Sequence, residues 1–285
     1  MGFKDKLKDA LIGILTDEEL SVLPRGFQTV GEVAIIKLNP ILMGGKKKIA
    51  EKYLELLPSI KSVYLNSGRV KGQFRTPEKI EYLVGVENSI IKHKEHGVLY
   101  KFDFTKIMFS MGNLSERKFL ATLVKEGEII VDMFAGIGYF SLPIAKHSKP
   151  KKIFSIELNP DSFNYLNENI KLNHCEEIIT SIKGDSKIEV IKLSKSGLKA
   201  DRVIMGVFPA PKDFIKEALT LAKAEGTIYH YEGIVDKEKY LDLFNEFKEI
   251  AEINDYKCDL LTKRFVKSYG PGLYHAVFDI KVYKK

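Results

Sequence analysis

The 285-residue sequence predicts an α/β fold, a mostly parallel and doubly wound sheet with an antiparallel edge, preceded by a smaller α+β region. Three observations carry this. From about residue 129 onward, short apolar strands alternate with helical stretches through short connections, which is the rhythm of βαβ units. The last two apolar runs, 258–266 and 275–283, are joined by Ser268-Tyr269-Gly270-Pro271-Gly272 and read as an antiparallel pair at one sheet edge. Ahead of Lys106 the strands are separated by turn residues instead, so a boundary near 108–115 divides 1–110 from 111–285.

In chain order, 3–15 places Leu7, Leu11, Ile14 and Leu15 at helical spacing. The run 31–38 reads as a buried strand, 46–57 as a helix, and 62–65, 80–86 and 98–103 as strands. This first region leans antiparallel. The second begins with a strand at 129–134, a turn at 135–138 and a helix at 139–147. Strand 153–158, helix 160–173, strand 179–184, helix 187–193 and strand 200–206 follow. Helix 211–224, strand 226–231 and a long helix at 237–254 precede the closing pair.

Composition narrows the class. With 45% hydrophobic and 29% charged residues, collagen-like, disordered and disulfide-stapled chains are excluded. Cys175 and Cys258 stand far apart without a CxxC partner, so neither a disulfide framework nor a zinc cluster is expected. A reducing cytoplasm is the expected location. No apolar run reaches the roughly 18–20 residues that span a bilayer, and the first eight residues are amphipathic rather than signal-like, so no membrane role is expected.

The net charge is +7, and its distribution says more than its total. Residues 1–115 hold 18 Lys and Arg against 13 Asp and Glu; the rest holds 27 against 25. Lys46, Lys47 and Lys48 follow a Gly-Gly pair, and Arg69, Lys71 and Arg75 surround Gly68, Gly72 and Phe74. Basic, glycine-rich loops can approach phosphates and an interleaved aromatic can stack on a base. A solvated surface is the competing reading for any one lysine run, and Phe74 reads as core, with stacking on RNA the alternative.

Chemistry concentrates in Val131-Asp132-Met133-Phe134-Ala135-Gly136-Ile137-Gly138-Tyr139-Phe140. An acidic residue ends a strand, and a Gly-x-Gly turn opens a helix where a doubly wound sheet binds ligands. A second strand ends in Glu157, about 20 residues on, where a carboxylate can accept both ribose hydroxyls. A third ends in Gly184-Asp185-Ser186, within reach of an adenine amino group. The third glycine of a dinucleotide fingerprint is missing, since Gly138 is followed by Tyr139-Phe140-Ser141. Acidic flanks suit a cationic, single-nucleoside ligand such as S-adenosyl-L-methionine; a dinucleotide is the alternative.

An ordered set of motifs then points to a family. Phe102-Asp103-Phe104-Thr105-Lys106-Ile107-Met108-Phe109-Ser110-Met111-Gly112-Asn113-Leu114-Ser115-Glu116-Arg117 is followed by VDMFAGIGYFSLPIAK, IELNP, ENIKLN, DRVIMG and YGPGLYH. Together with GQFRTP at 72–77 and LPRGF at 23–27, this set resembles the archaeal wybutosine-pathway aminocarboxypropyltransferases and their sister family, the tRNA guanine-37 N1-methyltransferases. The resemblance implies a Rossmann-like class I methyltransferase fold behind an RNA-positioning domain, acting as a monomer on tRNA-Phe at anticodon-loop position 37. It implies that Ser110, Arg117, Glu157, Asp185 and Ser186 line the cofactor site; Asp132, Phe134, Gly136, Gly138 and Gly206 complete the expected set, and no metal is expected. Expected RNA contacts are Lys46, Lys47, Lys48, Arg69, Lys71, Arg75, His230 and His275.

The sister families differ at readable positions. Where the methyltransferases carry an Arg in Asn-Pro-Arg-Leu or Ser-Pro-Arg-Leu, this chain has Ser110-Met111-Gly112-Asn113; where they carry Asn-Leu-Pro or Asn-Pro-Pro, it has Met205-Gly206-Val207-Phe208. Arg and Asn side chains there can orient guanine and stabilise charge as a proton leaves N1; Gly112 and Gly206 cannot. Both substitutions resemble the aminocarboxypropyltransferase branch, although its Tyr-Ala-Pro-Gly-Val-Trp-His element is here Tyr269-Gly270-Pro271-Gly272-Leu273-Tyr274-His275. In the implied reaction C7 of 4-demethylwyosine attacks the γ-carbon of the methionine moiety and methylthioadenosine leaves, with catalysis largely by proximity and orientation.

Several residues carry two readings. Asp132 holds either the glycine turn or the methionine amino group. Arg117 pairs with Glu116 at a helix start or touches the ligand. His230, read at a strand end, faces the crevice or is a bonded structural histidine, and His275 touches substrate or fixes a turn. Cys175 and Cys258 read as core.

Overall fold

The computed structural model describes residues 2–68, 70–72, 76–109 and 113–285. The chain divides into two compact units, one formed by Met1–Lys94 with Lys101–Phe109, the other by Glu95–Tyr100 with Ser110–Lys285.

The first unit opens with α1 (Phe3–Leu11) and α2 (Asp17–Ser21). Thr16 caps α2: its side chain accepts from the Glu19 N–H while the Glu19 carboxylate accepts from the Thr16 N–H, so two orphan donors are satisfied reciprocally. β1 (Gln28–Val30), β2 (Val33–Ile36), α3 (Lys46–Leu56), β3 (Ser62–Asn66), β4 (Val70–Lys71), β5 (Thr76–Pro77) and β6 (Ile80–Gly85) follow. The four-stranded sheet runs β1-β2-β3-β6. β2 and β3 are parallel because α3 carries the chain back across the sheet; the other two pairings are antiparallel. Leu7, Leu11, Ile49, Ala50 and Tyr53 are fully buried, as their helical spacing requires, and the Tyr53 ring lies 5.0 Å from Phe3 and 5.3 Å from Phe27. A hairpin of β7 (Ile90–Glu95) and β8 (Val98–Asp103) follows, with its tip counted in the second unit. β1, α2 and β7 are short or mostly polar, and the sequence pattern does not announce them.

The second unit begins with α4 (Leu114–Leu123) and continues as β9 (Ile129–Asp132), α5 (Ser141–His147), β10 (Lys152–Glu157), α6 (Pro160–Leu172), β11 (Ile179–Lys183) and α7 (Ser186–Lys195). β12 (Arg202–Met205), α8 (Ile215–Leu219), β13 (Thr227–Asp236), α9 (Leu241–Ile253), β14 (Tyr256–Gly270) and β15 (Leu273–Lys284) complete it. The seven strands lie in the order β11-β10-β9-β12-β13-β15-β14. The first five are parallel and β15 is antiparallel to both neighbours, which is the doubly wound sheet with an antiparallel edge that the sequence predicts. From β9 the chain first builds outward through β10 and β11, then returns to place β12 on the other side of β9. That reversal opens a crevice at the carboxyl ends of β9 and β12.

Two boundaries differ in a way that matters. The strand predicted at 226–231 runs on to Asp236, because β15 pairs with it residue by residue from Val282 to Leu273. The final strands are longer than predicted for the same reason, with β14 spanning Tyr256–Gly270. His230 therefore sits in the middle of a strand, not at its end.

Candidate functional site

Asp132 closes β9 with no solvent exposure. Its Oδ2 accepts from the Ser141 hydroxyl at 2.7 Å and its Oδ1 from the Phe134 N–H at 3.4 Å, which fastens the start of α5 to the turn. Burial lifts its pKa to about 6 against those two hydrogen bonds. The turn then uses two glycines in the left-handed region, Gly136 at φ +57° and Gly138 at φ +100°. A Cβ on Gly138 would lie 2.6 Å from Leu142, so α5 packs against the turn only because no side chain is there.

Glu157 closes β10, partly exposed toward the crevice. Its Oε2 accepts from the Gly136 N–H and its Oε1 from the Asn159 N–H, each at 2.7 Å. Burial raises its pKa, and these backbone donors oppose the rise. Both oxygens are thus aimed by backbone, and the carboxylate keeps acceptor capacity for a ligand hydroxyl. Asp185 caps α7 by accepting from the Lys187 N–H at 2.8 Å, while the Ser186 hydroxyl donates to the Met133 carbonyl. The Phe134 ring, half-buried, meets Phe214 edge-on at 4.9 Å, and Lys187 Nζ lies 5.0 Å from the Phe214 ring. The structure brings Asp132, Phe134, Gly136, Gly138, Glu157, Asp185, Ser186 and Gly206 to the ends of β9–β12.

Gly206, just past β12, shows why this chain has no side chain there. A Cβ would lie 2.9 Å from Phe140 Cε2 and 3.5 Å from the Glu232 Cδ. Phe140 is itself buried, so Gly206→Asn is expected to overpack the crevice wall, costing about 1–3 kcal/mol of stability, and to reduce group transfer to tRNA. Thermal unfolding and a transfer assay check this; a variant as stable and active as the parent would show that the wall has room.

Beyond Gly206 lies a buried charge network that the sequence does not disclose. His230 in β13 faces Asp279 in β15 and donates from Nδ1 to its Oδ1 at 3.0 Å. His275 Nε2 donates to Glu232 Oε2 at 3.1 Å, and His230 Nε2 lies 3.4 Å from Glu232 Oε1. Arg264 joins in from β14, donating to Asp279 Oδ2 and to Glu116 Oε1, each at 2.7 Å. Burial alone would lower the His230 pKa, but the carboxylates of Asp279 and Glu232 outweigh it and raise it to about 9. Burial raises Glu232, and its two histidine partners bring it down to about 2. His230 and His275 are both fully enclosed, so in place of the expected RNA contacts the structure shows two bonded members of this network, the structural reading in the case of His230.

Other expectations resolve as follows. Arg117 is buried and pairs with Glu95 at 2.9 Å, its guanidinium 4.4 Å from the Tyr139 ring; Glu116 pairs with Arg264 instead. Lys46 is tied to Glu81 at 2.7 Å, whereas Lys47 and Lys48 are exposed. Ser110, Arg69, Arg75 and the Lys71 side chain lie outside the described residues, as does Phe74. Among the described residues no cluster of His, Cys, Asp and Glu is arranged to hold a metal, and no helix is long and apolar enough to cross a membrane. Ser141, Asn159, Glu232, Arg264 and Asp279 are the contributors that sequence reasoning did not assign. Only Asn159 carries a local signal, as the residue ahead of Pro160 at a helix start.

A parallel sheet with a glycine turn and strand-end carboxylates at its switch point defines a class I, nucleoside-binding transferase fold. The chain belongs to the TRM5/TYW2 family: residues 91–261 match the TRM5/TYW2 methyltransferase domain, and residues 7–89 match the TYW2 N-terminal domain. It is 38% identical to the tRNA(Phe) (4-demethylwyosine(37)-C(7)) aminocarboxypropyltransferase of Methanocaldococcus jannaschii, covering 90% of this chain and 97% of that one. It is 37% identical to the enzyme of the same name from Pyrococcus horikoshii, over 99% and 98%. The crystal structure of P. horikoshii TYW2 in complex with MeSAdo superposes with a TM-score of 0.82 at 34% identity, covering 99% of this chain and all of that one.

Proposed function

We infer that this protein transfers the 3-amino-3-carboxypropyl group of S-adenosylmethionine to C7 of 4-demethylwyosine at position 37 of tRNA-Phe, the C7–Cγ bond forming as the Cγ–S bond breaks, with methylthioadenosine and the C7 proton leaving. The observation that carries the reading is full-length similarity to two aminocarboxypropyltransferases, in a chain whose crevice has Gly206 packed against Phe140 and Glu232. The donor set fits the cofactor. Glu157 offers two backbone-aimed oxygens to a ribose diol, and Asp185 keeps carboxylate capacity for an adenine amino group. Asp132, held by Ser141, contributes negative charge that suits a sulfonium.

When bound, the sulfonium supplies three electrophilic carbons, and the geometry of the pocket selects among them. In this reading the chain's own residues orient: Glu157 fixes the nucleoside end, the Gly136–Gly138 turn brings backbone close, and the wall of Phe140 and Glu232 shapes the side from which the acceptor approaches. A monomeric enzyme acting at the anticodon loop completes the reading. The two free thiols, Cys175 and Cys258, accord with a reducing, cytoplasmic setting. The exposed Lys47 and Lys48 are proposed to meet the tRNA backbone.

Incubation with tRNA and differentially labelled cofactor tests the reaction. Label in the carboxypropyl carbons is expected to reach tRNA and methyl label is not. Methyl label on the tRNA would overturn the reading in favour of N1-methylation.

A further inference from the structure

β13 outlasts its parallel neighbour. Met205, the last residue of β12, pairs with Tyr231, and β13 then runs on to Asp236 with β15 and the end of β14 beside it. This three-stranded extension stands on the side of the sheet where Asp132 and Glu157 end their strands, and the β14–β15 turn is its tip.

Within the extension β13 carries Glu232 and Asp236, whereas the β14–β15 hairpin is one-sided in charge. From Leu260 to Phe278 there is no acidic residue, while Lys263, Arg264 and Lys267 are cationic. Arg264 is committed to Glu116 and Asp279. The two lysines lie beside aromatic rings: Lys263 Nζ is 3.3 Å from the centroid of Tyr240, and Lys267 Nζ is 5.3 Å from that of Tyr269. At the tip Tyr269 is 46% exposed and Leu273 44%. A large apolar tip on an open sheet edge invites aggregation unless it has a partner or a deterrent. Three register shifts along β14 and the lysines bend and charge the edge, which deters strand pairing, but they give no reason for an exposed tyrosine at its end.

A planar ring next to a cation, twice over, complements a nucleotide, which has one flat face and one phosphate. Double-stranded RNA hides the base faces; unpaired nucleotides present them. The tip is also coupled to the crevice. The Tyr269 ring lies 5.9 Å from Phe208, and Phe208 packs edge-on at 4.6 Å over His275, which holds Glu232 behind Gly206.

We propose that the β14–β15 hairpin is an interface for unpaired RNA, with Tyr269 stacking on a base and Lys263 and Lys267 meeting successive phosphates. It rests on the reading that the acceptor is a tRNA loop, and adds a contact surface on the second unit. Tyr269→Ala and the double variant Lys263→Gln/Lys267→Gln test it in the full chain, with tRNA binding followed by anisotropy and S-adenosylmethionine binding by calorimetry. Tyr269→Ala is expected to weaken tRNA binding about tenfold. The lysine pair is expected to flatten the plot of log affinity against log salt by about 1.4, at ~0.7 per phosphate. Cofactor affinity and melting temperature stay as in the parent. Lys257→Gln, on the same strand at its far end and exposed, serves as the control for bulk charge. Unchanged tRNA affinity in both hairpin variants overturns the proposal, as does an equal loss in Lys257→Gln. If the parent binds tRNA but transfers no carboxypropyl label, the assigned reaction fails while the binding comparison still decides the hairpin.

Discussion

Asp279→Ala is expected to destabilise the protein by about 3–5 kcal/mol, the cost of removing one partner from a buried charge pair. Asp279 accepts from His230, Arg264 and Thr262, and the first two are cationic. Without the carboxylate, His230 remains enclosed with its Nδ1 unpaired. Asp279→Asn keeps the volume and some hydrogen bonding, and should fall between parent and Ala. Urea unfolding measures the difference, and a midpoint within error of the parent would show the network to be energetically idle. The same network sets a pH dependence. The folded pKa of His230, about 9, lies above its ordinary 6.5, so its contribution is complete below 6.5 and is lost as pH rises through about 9. Asp279 and Glu232 are shifted the other way, so their contribution disappears only in strong acid. Stability should therefore decline between neutral pH and mild alkali, and His230→Gln, less stable throughout, should show a flatter decline.

Glu157→Ala is expected to weaken S-adenosylmethionine binding by about 2–3 kcal/mol, or roughly 30- to 150-fold, with tRNA affinity retained. Two effects combine. The ribose loses a charged acceptor, and the Gly136 and Asn159 amides lose the carboxylate that holds the glycine turn against α6. Glu157→Gln separates them, since it replaces one of the two oxygens by an NH2 group, so that either the Gly136 or the Asn159 amide loses its acceptor in place. It should bind more weakly than the parent and more tightly than Ala. Calorimetry on the three proteins checks the order; equal affinities would put the nucleoside elsewhere.

The crevice at the ends of β9 to β11 is legible in the chain because its residues are set by local pattern. The Gly136–Gly138 turn follows a strand at once, Glu157 ends the next strand, and Asp185 with Ser186 opens a helix, so spacing alone brings them to one end of a parallel sheet. The wall behind Gly206 is not legible. Glu116 and Arg264 are separated by 148 residues, and His230 and Asp279 by 49, yet they meet in a single buried network. No local pattern marks them, since polar residues in a strand read as solvent-facing until a partner strand covers them. Reading β13 as ending at 231 placed His230 at a crevice rim; pairing with β15 buries it.

By itself, then, the sequence determined the doubly wound class, the glycine turn and the strand-end carboxylates, because each rests on residues near one another in the chain, and the family, through short motifs each legible locally. Only the tertiary structure decided which charges are spent on one another: Lys46 on Glu81, Arg117 on Glu95, and Arg264 on Glu116 and Asp279. A charge's partner depends on strand register and burial, which long-range packing sets and local spacing does not.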